Sequence, residues 1–181
     1  VEVLFLQHPL EVHNAKGSAH LLHLGLPHSR LLVGENFAEE ELHRWLYAAL
    51  PERDSAASAN KSIRPVLLYP ETTKDPHITT APPFNPVKDD AAQYRLVVLD
   101  GTWRKSRKML YLNPLLQQLP RLPLSDPPAS HYTIRKAHKP DQLSSFEASC
   151  YALMQLEQNE ERYLPLLAAF DGFVAQQQAY S

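Results

Sequence analysis

Four consecutive residues, Asp100-Gly101-Thr102-Trp103, stand at the end of the clearest strand pattern of the chain, YRLVVLD at 94–100. In open α/β sheets, ligands bind at the carboxyl ends of such buried strands. A carboxylate there is a candidate general base, an indole is a stacking surface, and a glycine lets a ligand approach the backbone. The alternative is that Asp100 caps the following helix and Trp103 belongs to the core. Spacing alone leaves both interpretations open.

A second polar group opens a predicted helix further along the chain. Ser144 and Glu147 form an S-x-x-E capping box before the apolar face of 144–158, and Arg135 lies upstream. The start of such a helix presents unpaired amides and a positive dipole end to a carboxylate or phosphate, and Arg135 would add a bidentate cation. Without further context, an ordinary capping box beside a surface arginine is the simpler interpretation.

Other candidates for chemistry are weaker. The opening of the chain contains four histidines, His8, His13, His20 and His23. His20 and His23 stand three residues apart on a predicted helix, but no Asp or Cys at metal-ligand spacing accompanies them. We therefore predict no metal site. Cys150, the single cysteine, lies among apolar helix residues, which indicates a buried, inert thiol. The sequence contains no G-x-S-x-G elbow or H-E-x-x-H pair that would support hydrolase chemistry.

Charge is unevenly distributed along the chain. The net charge is −2, but residues 100–140 hold eight Lys or Arg against two acids, which makes this region +6 and the remainder −8. A basic region on an acidic body is the footprint of a site for a phosphate-rich partner. The alternative is a solvated helix face whose charges pair with acids elsewhere in the chain. Charge alone does not separate the two.

Length and composition describe a globular chain: 181 residues, 44% apolar and 21% charged, which fits one domain. The five glycines stand at least eight positions apart, which excludes both the GxGxxG fingerprint and the GxxxxGK phosphate loop. No apolar run is long enough to cross a membrane, and no secretory leader is recognisable. We therefore expect a soluble cytoplasmic protein.

Strand and helix patterns alternate along the chain. Strands are predicted at 1–7, 29–34, 64–70, 94–100, 121–124 and 130–136. Helices are predicted at 18–26, 37–50, 105–119 (with a kink before Pro114), 144–158 and 160–181. Because the main strands are apolar throughout, we predict an α/β fold with a mostly parallel sheet covered by helices on both faces.

Four strings, taken in order, resemble the DTW-domain family and span residues 4 to about 158. They are HPLEVHNAKGSAHLL at 8–22, LLYP at 67–70, DGTWRKSRKM at 100–109 and YTIRKAHKPDQLSSFEA at 132–148. The strongest part is DGTW followed by a basic helix, together with the later R…LSxxEA segment. Three departures stand out: Ser145 replaces the usual Thr, Ala15 and Gly17-Ser18 replace a Thr-Gly pair, and the N-terminal Cys cluster of many relatives is absent.

The resemblance implies a fold and an activity. DTW-domain proteins are tRNA-uridine aminocarboxypropyltransferases related to the SPOUT superfamily, whose sheet ends in a trefoil knot that cradles S-adenosylmethionine. We therefore expect 1–181 to be a single DTW domain of SPOUT-like fold with a C-terminal trefoil knot. Its expected reaction moves the 3-amino-3-carboxypropyl group of S-adenosylmethionine to N3 of a tRNA uridine and releases methylthioadenosine.

Roles for individual residues follow from the matched strings. Asp100 is the expected general base. The residues expected to contact S-adenosylmethionine are Tyr69, Pro70, Gly101, Thr102, Trp103, Leu122, Leu124, Arg135, Ser144, Ser145 and Glu147. Within this set, Arg135 or the helix start at Ser144–Glu147 would bind the donor's carboxylate. The residues expected to hold tRNA phosphates are Arg104, Lys105, Arg107, Lys108, Lys136 and Lys139.

Three other functions remain open on the sequence. A SPOUT-type RNA methyltransferase would use the same pocket and donor but transfer the methyl group. A non-catalytic RNA-binding module would keep the basic region without binding S-adenosylmethionine. A metal-binding protein built on the opening histidines is the weakest alternative. The expected partner is tRNA, and the residues imply neither a membrane nor a protein partner.

Overall fold

The computed structural model describes residues 1–13, 18–49, 62–70, 74–81, 84, 86, 88–123 and 145–180. Within them the chain is an α/β protein, as predicted. Its strands are β1 (Glu2–Gln7), β2 (Ser29–Val33), β3 (Arg64–Leu68), β4 (Tyr94–Asp100) and β5 (Arg121–Leu122). They form one sheet of order β2-β1-β4-β3-β5, and all four pairings are parallel.

The two strands β1 and β4 are buried on both faces, as is typical of parallel strands covered by helices. All six residues of β1 and all seven of β4 are buried, which removes the polar alternation of a half-exposed sheet. Parallel pairing brings the carboxyl ends of the strands to one edge, so that Gln7 is directly opposite Asp100 in the register of β1 and β4. This edge is where the predicted site residues that follow the strands collect.

Helices cover both faces, as predicted. Their bounds are α1 (Ser18–Gly25), α2 (Glu39–Tyr47), α3 (Trp103–Leu112), α4 (Pro114–Gln117), α5 (Ser145–Glu157) and α6 (Leu164–Ala179). In the described part of the chain, three 3-10 helices accompany them, at Pro9–Glu11, Lys88–Gln93 and Glu161–Tyr163. None of the helices that the structure describes is long and apolar enough to cross a membrane.

Alternate residues of each strand supply two separate cores. Phe5 and Leu96 face the side covered by α1, α5 and α6, whereas Leu6 and Val97 face the side covered by α2, α3 and α4. Burial of each such side chain stabilises the fold by about 1.5–3 kcal/mol relative to leaving it in water. The two cores pack the sheet between the helix layers. This packing holds β4 in place, and with it the Asp100 position at its carboxyl end.

The helix after DGTW begins earlier than predicted and breaks where predicted. It starts at Trp103 rather than Lys105, because the Thr102 hydroxyl caps it by accepting a hydrogen bond from the Lys105 amide at 3.4 Å. It ends at Leu112 with Asn113 as its C-cap, and Pro114 opens the separate helix α4. The Thr102 cap therefore fixes the start of α3 three residues after Asp100.

The other boundaries match to within a few residues. The predicted helix at 144–158 is α5, and the predicted C-terminal helix is divided into a 3-10 turn and α6. The strand predicted at 121–124 is described as the two residues of β5. The strand predicted at 130–136 and the Ser144 position of the capping box lie outside the described residues.

Candidate active site

Asp100, at the carboxyl end of the central strand β4, is buried and held on both carboxylate oxygens. The Gln7 side-chain amide donates to Oδ2 at 3.0 Å, and the Ser145 hydroxyl donates to Oδ1 at 2.8 Å. Only 7% of the residue is exposed. The last residue of β1 and the first residue of α5 therefore fix its orientation, although Ser145 lies 45 positions away along the chain.

Gly101 and Thr102 shape the turn after Asp100. A Cβ added to Gly101 would lie 3.2 Å from the Cβ of Lys105 and 3.6 Å from that of His8, so this glycine allows close packing of protein against protein. Thr102, not Asp100, is the N-cap of α3. The alternative in which Asp100 serves as the helix cap is therefore wrong.

Trp103 presents its indole at the same edge. It is 53% exposed, so the alternative in which it belongs to the core is wrong. Its ring meets that of Tyr69 edge to face, with centroids 5.6 Å apart and planes at 74°. Tyr69 is buried, and burial raises the pKa of its phenol, which also hydrogen-bonds to Ser106. A supported, half-exposed indole beside a carboxylate is a surface on which a planar base can stack.

His8 supports this edge through its backbone N–H and both of its ring nitrogens. Its backbone N–H donates to the Asp100 carbonyl at 2.9 Å, and its Nδ1 accepts from the Leu10 amide at 3.2 Å. Because Nδ1 is an acceptor, the proton is assigned to Nε2, which lies 2.6 Å from a carboxylate oxygen of Glu35. Both ring nitrogens are thus engaged in holding the turn that follows β1.

Sequence reasoning missed Gln7 as a part of the site. Gln7 closes the predicted strand at 1–7 just as Asp100 closes the strand at 94–100. A polar side chain at the end of a buried strand is a usable signal, since parallel strands end at one edge. The sequence did not show that β1 and β4 are neighbours, and the contact depends on that order.

Three of the four basic residues of α3 are paired with acids. Each acid follows a different strand, so the pairs fasten α3 to the segments after β1, β2 and β3. The pairs are Lys105–Glu11 at 2.6 Å, Lys108–Glu35 at 2.9 Å and Arg107–Asp75, a two-pronged contact at 2.8 and 3.1 Å. Hydrogen bonds from the basic partners are the largest cause of the lowered pKa values of Glu35 and Asp75.

The basic residues of 100–140 that the structure describes therefore differ in their surroundings: some are paired with acids, one is buried and one is exposed without an ion pair. Pairing with acids elsewhere in the chain, the simpler alternative, is confirmed for the three residues above. Arg121, also counted in the basic region, is buried and not part of the surface. Arg104 is exposed and makes no ion pair with any other residue that the structure describes. Lys136 and Lys139 lie outside the described residues.

The predicted donor-binding residues gather at one end of the sheet, as far as they are described. They follow β3 and β4, close β5 or open α5: Tyr69, Pro70, Gly101, Thr102, Trp103, Leu122, Ser145 and Glu147. Glu147 and Leu122 are buried, whereas Pro70 is exposed. The remaining three, Leu124, Arg135 and Ser144, lie outside the described residues.

His23 of α1 and Cys150 of α5 have structural roles, the first in a hydrogen bond and the second in the core. His23 lies with Nδ1 2.6 Å from the Ser29 hydroxyl, and burial is the main cause of its lowered pKa. Across the ranges that the structure describes, no group of three metal-ligating side chains occurs. Cys150 is fully buried in the core, which confirms its predicted environment.

Comparison with known proteins agrees with the matched strings. The DTW domain model matches residues 1–178. A tRNA-uridine aminocarboxypropyltransferase 2 of Drosophila melanogaster is 29% identical over 162 residues, covering 88% of this chain and 58% of that protein. One of the same name from Mus musculus is 29% identical over 178 residues, covering 94% and 54%.

The chain spans about half the length of these curated relatives. No solved structure matches it. Since the family model extends over nearly every residue and includes the DGTW turn around which the carboxylate, the indole and the α5 hydroxyl gather, this chain belongs to the DTW-domain family.

Proposed function

We propose that this chain is a tRNA-uridine aminocarboxypropyltransferase that uses S-adenosylmethionine as donor and N3 of a tRNA uridine as acceptor. The observation that carries the proposal is the buried Asp100 carboxylate, fixed by Gln7 and Ser145 beside the half-exposed indole of Trp103. Membership of the DTW-domain family and the names of the two relatives support it.

The residues present suit the donor's chemistry. S-adenosylmethionine carries a cationic sulfonium and an ammonium group, and Asp100 and Glu147 supply two buried carboxylates near the same edge. Trp103, braced by Tyr69, offers a surface for an aromatic base. A second carboxylate beside Glu147 would be repelled, so we assign Glu147 to the donor's ammonium group rather than to its carboxylate.

Asp100 acts as the general base in this proposal. The donor supplies an electrophilic carbon with a thioether leaving group. The N3 proton of uridine passes to Asp100 as N3 forms its bond to that carbon, and the carbon–sulfur bond breaks to release methylthioadenosine. Gln7 and Ser145 orient the carboxylate, and each of its oxygens keeps a lone pair for this proton.

The proposal also covers the domain organisation and the fold family of the chain. We infer that residues 1–181 form a single DTW domain of SPOUT-like fold with a C-terminal trefoil knot. The all-parallel sheet, in which β4 is inserted between β1 and β3, supports this assignment. Cytoplasmic location stays a prediction.

The activity is tested by incubating the purified protein with unmodified tRNA and S-adenosylmethionine labelled in the methionine backbone. Nucleoside mass spectrometry is expected to find the label on uridine, with methylthioadenosine formed in equal amount. A methylated nucleoside together with S-adenosylhomocysteine would instead identify a methyltransferase. Binding of tRNA without binding of S-adenosylmethionine would identify a non-catalytic module.

Arg104 is expected to contribute more to tRNA binding than the paired residues of α3. Arg104→Ala should weaken binding and reduce the slope of log affinity against log salt by about 1, because one phosphate contact is lost. Lys108→Ala should change the slope less, because its ammonium is already paired with Glu35. Filter binding at several salt concentrations measures both slopes.

The matched control is Arg44→Ala, which removes an exposed arginine from the last turn of α2. It should leave the slope unchanged. Equal slopes for the Arg104 variant and the wild-type protein would exclude Arg104 from the phosphate contacts.

A further inference from the structure

A second exposed aromatic ring lies on the same helix as Trp103. Tyr111, near the end of α3, is 53% exposed. Its ring meets that of His77 edge to face, with centroids 6.5 Å apart and planes at 87°, and His77 is exposed as well. The two rings therefore form a right-angled corner at the surface, as Trp103 and Tyr69 do at the start of the helix.

The segment that carries His77 is fixed to the helices on both sides of the histidine. Two positions before it, the Asp75 carboxylate accepts two hydrogen bonds from Arg107 of α3, at 2.8 and 3.1 Å. Two positions after it, the Thr79 amide donates to the side-chain oxygen of Gln117 in α4 at 2.9 Å. A ligand of the corner would therefore not have to order this segment, which lowers the entropic cost of binding.

Cations border Tyr111 on the surface of α3. Residues three and four positions apart on a helix are neighbours, which places Lys108 and Arg107 beside Tyr111. Their side chains are 60% and 48% exposed, and Arg104 extends the same row of charges toward the start of the helix. An aromatic ring bordered by cations matches a ligand that combines flat rings with negative charge, which is the chemistry of a nucleic-acid strand.

This arrangement suits a nucleotide better than a protein partner. The centre of a protein interface is depleted of charged residues, and its aromatic anchors are surrounded by apolar area. On α3 the exposed large apolar side chains are Trp103 and Tyr111, and cations stand between them. A base that stacks on one ring needs no wider apolar surface.

The base must belong to an unpaired nucleotide other than the acceptor. N3 lies on the Watson–Crick edge, so the acceptor uridine is itself unpaired, and its neighbours in a loop offer their faces as well. Tyr111 lies eight residues beyond Trp103, about 12 Å along the axis of α3. This is several times the spacing of about 3.4 Å between stacked bases, so a base on Tyr111 flanks the one at the Asp100 edge.

We propose that Tyr111, supported by His77, stacks on an unpaired base of the tRNA that flanks the acceptor uridine. This inference rests on the proposed function and adds a contact that positions the strand without touching the reacting atoms. Stacking uses the face of a base rather than its edge, so any base serves. The contact should therefore add affinity for unpaired strands without selecting their sequence.

Fluorescence anisotropy tests the stack with two probes, an oligoadenylate that contains one uridine and the same oligomer with abasic ribose in place of every adenosine. Tyr111→Ala should weaken binding of the first probe about tenfold, within the range for loss of one stacked base. It should leave binding of the abasic probe unchanged, because that probe keeps the flanking phosphates but not the bases. Tyr111→Phe keeps the ring and should bind both probes as the wild-type protein does.

The matched control is Tyr47→Ala, which should change neither affinity. Tyr47 is also half-exposed beside a histidine ring, that of His43 at 4.7 Å between centroids, but it ends α2 rather than α3. With unmodified tRNA, Tyr111→Ala should raise the tRNA concentration for half-maximal single-turnover rate about tenfold and leave the maximal rate within about twofold.

Equal losses for the two probes, or unchanged affinity for both, would overturn the stack. Weaker self-association of the Tyr111→Ala protein in analytical ultracentrifugation, with unchanged RNA affinity, would assign the ring to a contact between copies of the chain and would overturn it too. Failure of the wild-type protein to bind tRNA would instead overturn the proposed function. A wild-type enzyme that modifies tRNA no better than Tyr111→Ala does at any tRNA concentration would overturn this inference alone.

Discussion

Replacing Asp100 with asparagine is expected to lower the rate of aminocarboxypropyl transfer about 10³-fold and to leave the affinity for S-adenosylmethionine within about threefold. Asparagine keeps the shape of the side chain but cannot accept the N3 proton of uridine. Its Oδ1 can still accept from Ser145, and the Gln7 amide can turn over so that its oxygen accepts from the new NH₂ group. The local fold should therefore persist.

Single-turnover kinetics with excess enzyme measure the transfer step, and calorimetry measures donor affinity. Glu161→Gln is the control, because it removes an exposed carboxylate from the turn before α6. It should leave both quantities unchanged. If the Asp100 variant loses donor affinity as strongly as rate, Asp100 is a ligand of the donor and not the base. An unchanged rate would place the base elsewhere.

The layered fold was predictable because its signals are local. The runs predicted as strands at 1–7 and 94–100 are mostly apolar, which favours a parallel sheet with helices on both sides, and the strands Glu2–Gln7 and Tyr94–Asp100 are buried along their whole length. The break before Pro114 follows from a proline that cannot continue a helix. These features depend on neighbours in sequence, so no knowledge of strand order was required.

The hydrogen bond from Gln7 to Asp100 was not predictable from the sequence, because it depends on the order of the strands in the sheet. Gln7 reaches Asp100 only because β1 is hydrogen-bonded to β4, although the two residues are 93 positions apart along the chain. Alternation of strands and helices is compatible with several orders of the strands in the sheet. The polar end of the first strand was visible in the sequence, but its partner was not.

The sequence shows how many basic residues lie in 100–140, but not which of them are paired with acids in the fold. Lys105, Arg107 and Lys108 stand close together in the sequence and suggest a binding face. Each is paired with an acid that lies after a different strand, so most of the local positive charge is neutralised within the protein. Arg121 was counted with them, yet it is buried and hydrogen-bonded to backbone carbonyls beside α4. Counting charges cannot show such pairing across the fold.

Arg95→Met is expected to destabilise the protein by about 3–5 kcal/mol, the usual cost of removing one partner of a buried ion pair. Arg95 and Glu2 are each 2% exposed, and the guanidinium binds the Glu2 carboxylate through Nε and Nη2. Its remaining hydrogen bonds go to the carbonyls of Trp45 and Ala48 at the end of α2, at 2.6 and 2.7 Å. Methionine fills much of the volume but satisfies none of these groups.

Urea unfolding followed by circular dichroism measures the loss as a lower midpoint with an unchanged slope. The double variant Glu2→Gln, Arg95→Met should recover part of the stability, because it no longer buries the carboxylate opposite an apolar side chain. A loss below about 1 kcal/mol in the single variant would show that the pair is hydrated in solution. Glu2 and Arg95 lie near the amino ends of β1 and β4, whereas Gln7 and Asp100 close the same strands, roughly 17 Å away. The folded fraction of the Arg95 variant should therefore keep its donor affinity, which separates what stabilises this sheet from what its opposite edge does.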